Sequence, residues 1–361
     1  MTKGLIRLSK KVTTHDISLS LGLSRNTVSK ALNDHPSITT ETKRRVIEQA
    51  IAMGYKKVKP IVAAQSPSSE GSSAGKPKSI AYITKHQLYH GTGFWMNVMS
   101  GVEEITSGNG YEMKISFVKN EDIDALVLPA VLTSGDIAGF IVAGSMDKPY
   151  TEALLQLPIP KVFININPEL PLSGLETDVV FMENEDSIYQ ITSQLIASGH
   201  RELGFIGDIS SCRSFMERWF GFQRAHFDAG LPINPAYCIT SASADGFQNY
   251  EGFTRSLKEM KELPDAFVCV NDKIALNVIK YAGEIGKSIP GDMAVSGFDQ
   301  IEEAEFLGYT LTTVAHDEHQ LGLRATEQLL QRLSKPDRAY ETIRLATKVV
   351  FGESTRTAVR G

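Results

Sequence analysis

The sequence has little cysteine: three residues in 361 (Cys212, Cys238 and Cys269), an odd number, widely spaced and with no CxxC pair. That excludes a disulfide framework and a cysteine zinc site, and the three are expected in the core. No apolar run approaches the ~18 residues of a membrane helix. Residues 1–11 lack the apolar centre of a signal peptide, so the expected location is cytoplasmic. Glycine, proline and charge are not in excess either. With 42% apolar and 22% charged residues, the chain is neither wholly disordered nor collagenous nor coiled coil. At ~100–200 residues per domain, its length allows two or three domains.

Enzyme chemistry is also missing. Gly71-Ser72-Ser73-Ala74-Gly75 fits the GxSxG pattern of a hydrolase nucleophile, but it has no strand before it and no helix after it. Gly286-Lys287-Ser288 lacks the upstream glycine of a phosphate loop, position 281 being Tyr281. His316-x-x-His319, with Asp317 and Glu318, is not HExxH and reads as a solvated turn. No paired acid and base, metal cluster or activated nucleophile stands out. No cofactor, metal or catalytic residue is therefore expected.

The net charge of −5 conceals an asymmetry. Residues 1–60 hold 12 Lys+Arg against 4 Asp+Glu, net +8, and the remainder holds 25 against 38, net −13. A small basic segment on a large acidic body suits a protein that docks on polyphosphate with one end, although a solvated basic tail carries the same charge. Between them, Ser66 to Lys78 reads SPSSEGSSAGKPK, with no apolar residue larger than Ala74, and is expected to be a flexible tether.

Within the basic segment, Thr13-Thr14-His15-Asp16 has the form of a helix cap with a first-turn carboxylate, followed by Ile17, Leu19 and Leu21. Gly22 breaks that helix. Ser24 caps a second, with Val28, Ala31 and Leu32 inward and Arg25, Asn26, Ser29 and Lys30 outward. A third runs from Thr39 through Val46, Ile47, Ala50 and Ile51. Two short helices joined at a glycine turn, with polar groups at the start of the second, form a helix-turn-helix. Arginine can bridge guanine O6 and N7, asparagine adenine N6 and N7, while Ser, Thr and Lys reach phosphates.

Beyond the tether, apolar runs at Ser79–Thr84, Tyr111–Phe117, Ala138–Ala143, Lys161–Asn165, Leu203–Gly207, Ala266–Val270 and Met293–Gly297 alternate with amphipathic helical stretches. The alternation predicts α/β architecture with parallel sheets, as one large sheet or two doubly wound lobes. Either binds ligands at the carboxyl ends of its strands. Arg218 then opens onto the mouth of a sheet as a fork for hydroxyls or a phosphate, and Asp299 and Asn271 each end a strand.

Val12 to Lys56, with Ser24-x-x-Thr27-Val28-Ser29-Lys30-x-Leu32-Asn33, Glu41-Thr42 and Gly54-Tyr55, closely resembles the DNA-binding headpiece of the lactose-repressor (LacI/GalR) family of transcription regulators. The resemblance continues through Ser198-Gly199-His200-Arg201, Glu217-Arg218-Trp219-Phe220-Gly221-Phe222, Val270-Asn271-Asp272, Gly297-Phe298-Asp299, Leu311-Thr312-Thr313-Val314 and Glu353-Ser354-Thr355. It implies a headpiece over 1–60, a hinge or linker over 61–78 and a two-lobed, periplasmic-binding-protein-like core over 79–361. The expected lobes are 79–177 plus 318–345, and 178–317 plus 346–361.

The resemblance puts base reading on Arg25, Asn26 and Lys30, within a DNA-contacting set that adds Thr14, Ser24, Thr27, Ser29, Asn33 and Thr42. It puts effector binding on Arg218, Asp299, Asn271, Asn165, an aromatic at Phe247, and Phe94 and Trp95. Thr92-Gly93 stands where members usually carry Asn-Pro. The implied protein is a homodimeric repressor of a sugar-utilisation operon that reads a near-palindromic operator and answers to a sugar or sugar phosphate. The alternatives are a global carbon-catabolite regulator with a phosphoprotein corepressor and a sugar-processing enzyme with an accessory DNA-binding domain. One departure is local: Lys59-Pro60-Ile61-Val62-Ala63-Ala64-Gln65-Ser66 has no Leu where members wedge one into the minor groove from a hinge helix. Less operator bending is expected, since Ala64 is too small to unstack a base step.

Overall fold

The computed structural model describes residues 12–33, 35, 37–53, 55, 61–62, 79–86, 93–241, 247 and 250–356. The GxSxG stretch and the tether from Ser66 to Lys78 lie outside them, as do Lys59, Pro60 and Ala63 to Gln65.

The headpiece is three helices: α1 (Thr14–Leu21), α2 (Arg25–Leu32) and α3 (Thr40–Ala52). Thr13 starts α1 in a capping box, its backbone N–H donating to Asp16 Oδ2 at 2.8 Å while its hydroxyl accepts from the Asp16 N–H. Gly22 ends the helix at φ +65°, a left-handed geometry in which a side chain is strained. Ser24 Oγ accepts from the Thr27 N–H at 3.0 Å to start α2. Ile17, Val28, Ala31, Leu32, Val46, Ile47 and Ala50 form the headpiece core, whereas Leu19 points outward at 69% exposed.

Ile61–Val62 forms β1, pairing parallel with β4 in the first lobe. The first two residues of the expected 61–78 linker are thus extended and hydrogen-bonded, not helical.

The first lobe is built from β2 (Ser79–Lys85), α4 (Gly93–Gly108), β3 (Glu112–Val118), α5 (Asn120–Asp124), β4 (Val127–Leu128), β5 (Ile137–Ala143), α6 (Lys148–Leu155), β6 (Lys161–Ile164) and β7 (Asp178–Met182). The second holds α7 (Glu185–Ala197), β8 (Leu203–Ile206), α8 (Arg213–Asp228), α9 (Tyr250–Lys258), β9 (Ala266–Cys269), α10 (Asp272–Glu284), β10 (Ala294–Ser296) and β11 (Thr313–Ala315). The chain then returns as α11 (Glu318–Ser334) and β12 (Thr342–Leu345) to the first lobe, and ends in the second with β13 (Lys348–Val350).

The first sheet is parallel, in the order β12-β7-β6-β5-β2-β3; the second is β10-β9-β8, also parallel, with an antiparallel β11-β13 pair beside it. Alternate residues of the first sheet feed cores on its two faces: Ile80, Tyr82, Ile141 and Val162 meet Val98 and Val102 of α4 and Leu321, Ala325 and Leu329 of α11. Ala81, Ile83, Phe140 and Phe163 meet Tyr150 and Leu154 of α6 on the other face. Burial on both faces explains the near-continuous apolar runs.

The strand β7 corrects the expected lobe boundary. It lies inside the first sheet, between β12 and β6, so the first crossing falls after Met182 and not between 177 and 178. Its all-buried sequence DVVFM carries no sign of which sheet it joins.

Asp178 anchors that strand. It is fully buried, and Arg332 of α11 donates to both its oxygens, Nε to Oδ2 at 2.9 Å and Nη2 to Oδ1 at 3.0 Å. Gln328 and the Glu341 N–H donate to Oδ1 as well. Removing one member of a buried, fully bonded ion pair strands the other, which costs about 3–5 kcal/mol. Asp178→Ala is therefore expected to lower stability by that amount, read as a reduced urea midpoint.

Candidate functional site

The carboxyl ends of both sheets face a cleft of about 400 Å³ between the lobes. The first lobe contributes Lys85 from the end of β2, Gly144 and Ser145 after β5, Asn165 after β6, and Phe94 and Trp95 from the first turn of α4. The second contributes Ser211, Cys212 and Ser214 at the start of α8, Phe215 and Arg218 within it, Asn271 and Lys273 at the start of α10, and Asp299 after β10.

Arg218 is 3% exposed. Its Nε donates to Asn184 Oδ1 at 3.0 Å and its Nη1 to the Val270 carbonyl. Nη2 stands 3.8 Å from Asp299 Oδ1, and the guanidinium lies 3.4 Å from the centroid of the Phe298 ring. Burial lowers its pKa, opposed chiefly by the Asp299 carboxylate.

Asp299 and Asn165 both hold left-handed backbone, at φ +107° and +68°. Such geometry in residues other than glycine is uncommon and persists where the surroundings impose it. Here Asp272 does much of the imposing. It is fully buried and receives the Thr313 hydroxyl at 2.7 Å and the Ile301 N–H at 3.0 Å, while its own N–H donates to Phe298 O at 2.7 Å. A Cβ on Gly297 would stand 2.1 Å from Asp272 Oδ1, so glycine is required for the carboxylate to approach the loop.

Six of the seven residues singled out for effector binding line this cleft: Phe94, Trp95, Asn165, Arg218, Asn271 and Asp299. Asn271 also caps α10, its Oδ1 accepting from the Ile274 N–H at 3.0 Å, so what it can offer a ligand is its amide N–H donors. Phe247 is not among the lining residues; its ring lies 6.0 Å from that of Phe253 and packs on the second-lobe core. An aromatic beside an amphipathic helix gains more from that apolar surface than from a polar cleft.

Two other expectations are corrected. Cys212 and Cys238 are only half-buried, and Cys212 lines the cleft, where burial raises its thiol pKa. His316 is not in a solvated turn: its side chain is 1% exposed, with Nε2 3.3 Å from Asp299 Oδ1 and its ring 5.6 Å from that of Phe94. It sits where the chain passes from β11 to α11, touching both lobes. His319 is 36% exposed and pairs with Glu104. Among the described residues, no group of His, Cys, Asp and Glu could hold a metal ion.

In the headpiece, Ser24, Arg25, Asn26, Ser29 and Asn33 are exposed, and Thr14, Thr27, Lys30 and Thr42 are half-buried. Arg25 and Asn26 open α2, and the neighbouring Ser24 and Thr27 hydroxyls bond to each other at 2.8 Å. Asn33 Nδ2 donates to the Ser29 carbonyl and closes the helix.

The periplasmic binding protein-like domain family matches residues 192–355. The HTH-type transcriptional repressor PurR of Histophilus somni is 27% identical over 353 residues, spanning 96% of this chain and 99% of the relative. The repressor of the same name from Haemophilus influenzae is 27% identical over 357 residues with the same coverage. Among solved structures, the transcriptional regulator CelR–cellobiose complex gives a TM-score of 0.70 at 20% identity, covering 95% of this chain and 100% of that one. The lac repressor dimer bound to operator and the anti-inducer ONPF gives 0.61 at 18%, covering 96% and 99%; both show the likeness of fold.

A helix-turn-helix headpiece on a two-lobed core with a polar cleft is the architecture these relatives share. Over nearly its whole length the chain is similar to transcriptional repressors and shares the fold of LacI-family regulators.

Asp272 gives the site a pH signature. Burial raises its pKa to about 7, against the Thr313 hydrogen bond that lowers it. An acid whose folded pKa lies above its unfolded value near 3.9 supports folding most when protonated, below about pH 4. That support falls as pH rises towards 7 and is constant above it. Asp272→Asn is therefore expected to gain stability relative to the parent between pH 5 and pH 7 and to level off by pH 8. Urea melts across that range check the sign.

Proposed function

We propose that this chain is a homodimeric transcriptional repressor that reads a near-palindromic operator with α2 and is controlled by a small polar effector in the interlobe cleft. The observation that carries the reading is one of placement. Residues far apart in sequence, from Phe94 to Asp299, meet in one cleft, while the polar start of α2 stays exposed on a segment of net charge +8. A two-fold dimer presents α2 to both half-sites. An effector that favours one arrangement of the lobes shifts the DNA-competent population, commonly by ~1–3 kcal/mol.

For the effector, the guanidinium of Arg218, the carboxylate of Asp299, the amides of Asn165 and Asn271 and the serine hydroxyls suit a sugar or sugar phosphate, and the regulated genes are then those of sugar utilisation. A purine is the second reading, favoured by the PurR relatives and by the Phe94, Trp95 and Phe215 rings, which offer flat apolar faces.

Deleting residues 1–60 is expected to abolish gel retardation of a selected operator duplex and leave effector binding intact; retention of DNA by the truncated chain would overturn the assignment. In the full chain, operator affinity should fall steeply with added salt as counterions compete for the phosphates. Arg218→Ala is expected to lose roughly tenfold or more in effector affinity, since charge-assisted bonds contribute about 1.5–3 kcal/mol. Unchanged affinity by calorimetry would remove Arg218 from the site.

A further inference from the structure

We infer that His316 is a positioning residue that couples the cleft to the lobe crossing: it ties the Asp299 wall to the first lobe, so that engaging that carboxylate loosens the start of α4. The inference deepens the effector-site reading above and rests on it. His316 is not among the residues lining the cleft, so it acts through two that are. Its Nε2 stands 3.3 Å from Asp299 Oδ1; a carboxylate can only accept, so Nε2–H is the donor. Its ring lies edge-to-face with that of Phe94, centroids 5.6 Å apart, and 5.7 Å from that of Phe298. Asp299 and Phe298 belong to the second lobe and Phe94 to the first, and one imidazole spans them.

The chain on either side leaves this ring little freedom. β11 ends at Ala315 and α11 begins at Glu318, with Asp317 accepting from the Gln320 N–H at 2.9 Å to cap it. α4 and α11 then touch backbone to backbone, since a Cβ on Gly101 would collide with the His319 carbonyl and one on Gly322 with the Val98 carbonyl. Phe94, in the first turn of α4, therefore moves with the helix that His316 leads into. On the second-lobe side the Asp299 N–H donates to Val314 O at 3.1 Å and the Gln300 N–H to Thr313 Oγ1 at 3.2 Å. These bonds knit the left-handed loop to β11, the strand that runs into His316.

Packing alone does not account for a histidine here. Its side chain is 1% exposed, and among the described residues its Nδ1 has no hydrogen-bond partner, standing 3.5 Å from Glu318 Oε1. Burying a polar atom without a hydrogen bond costs free energy that a phenylalanine or leucine would not incur. The ring is placed for what its other nitrogen does, which is to hold Asp299.

Hydrogen exchange on the full chain, with no ligand added, tests the tie. Asp299→Asn stands in for an engaged carboxylate: it tolerates the left-handed backbone and replaces a charge-assisted bond with a weaker neutral one. The amides of Asp299 to Ile301 report the loop, and those of Asn97 to Ser100 the first bonded turn of α4. Asp299→Asn is expected to speed exchange severalfold in both segments, and in a His316→Leu background to leave the α4 amides no faster than His316→Leu alone does. His316→Gln keeps a donor for Asp299 and lacks the ring, so it should speed α4 and spare the loop. His316→Phe keeps the ring and lacks the donor, so it should do the reverse. General loosening would speed both segments in both variants, together with strand β5, and so cannot imitate that crossed pattern. Unchanged α4 amides in His316→Gln, the two variants behaving alike, or Asp299→Asn reaching α4 equally well without His316 would each overturn the inference. Its failure would leave Arg218-dependent ligand binding standing, whereas a ligand indifferent to Arg218 and Asp299 would move the effector site and leave the tie as measured.

Discussion

Arg218 carries a charge that cannot be titrated away at any physiological pH and that the fold removes almost entirely from water. Everything around it answers that charge. Asn184 turns its amide oxygen to Nε at the crossing between lobes, the Val270 carbonyl meets Nη1 at the end of β9, and Phe298 presents its ring face. Asp299 supplies the countercharge from a left-handed loop, and Asp272 braces that loop from beneath. The partners come from the crossing, a strand end and the β10 loop, so the guanidinium ties the second lobe to its connection with the first. A ligand that draws on Arg218 or Asp299 therefore draws on contacts that hold the hinge.

The helix carrying Arg218 is bonded to both lobes. Its neighbour Glu217 receives both terminal nitrogens of Arg344 at 2.7 Å, and Arg344 lies on β12 of the first sheet. At the start of the same helix, Arg213 donates to the Pro168 and Leu170 carbonyls of the first lobe, and its backbone N–H to Ile166. Any change in the angle between lobes must move α8 against one set of these partners. Close-packed interiors deform in discrete steps, so a cleft ligand and the lobe angle bias one equilibrium.

Much of this was legible in the sequence because local chemistry declares itself. Thr13, Gly22 and Ser24 bound the headpiece helices by capping rules that need no tertiary information, and the apolar runs marked seven of the strands. Asn271 and Asp299 could be placed because strand ends of parallel sheets face a crevice, and Asn165 through the family resemblance. What was hidden depends on pairing across the chain. Nothing in DVVFM says that β7 joins the first sheet. His316 reads as part of a polar turn until Phe94, more than 200 residues earlier, is seen to close over it. Lys85 and Ser145 obey the same strand-end rule as Asn165 and could have been found by it, whereas Phe247 shows that an aromatic at a suggestive position still goes where apolar surface is available.

The pairing of Ile61 and Val62 with β4 alters the geometry of the whole chain. Measured from Tyr55, the last described headpiece residue before it, the headpiece is separated from the first lobe by the five residues 56–60 and not by the full serine-rich stretch. Six Cα steps reach about 20 Å at full extension. The headpiece is on a short leash while β1 is zipped, and it can move farther than that only by peeling β1 from its neighbour. Two ladder positions hold little free energy, so the strand is a weak clasp, and anything that steadies β4 helps keep it shut.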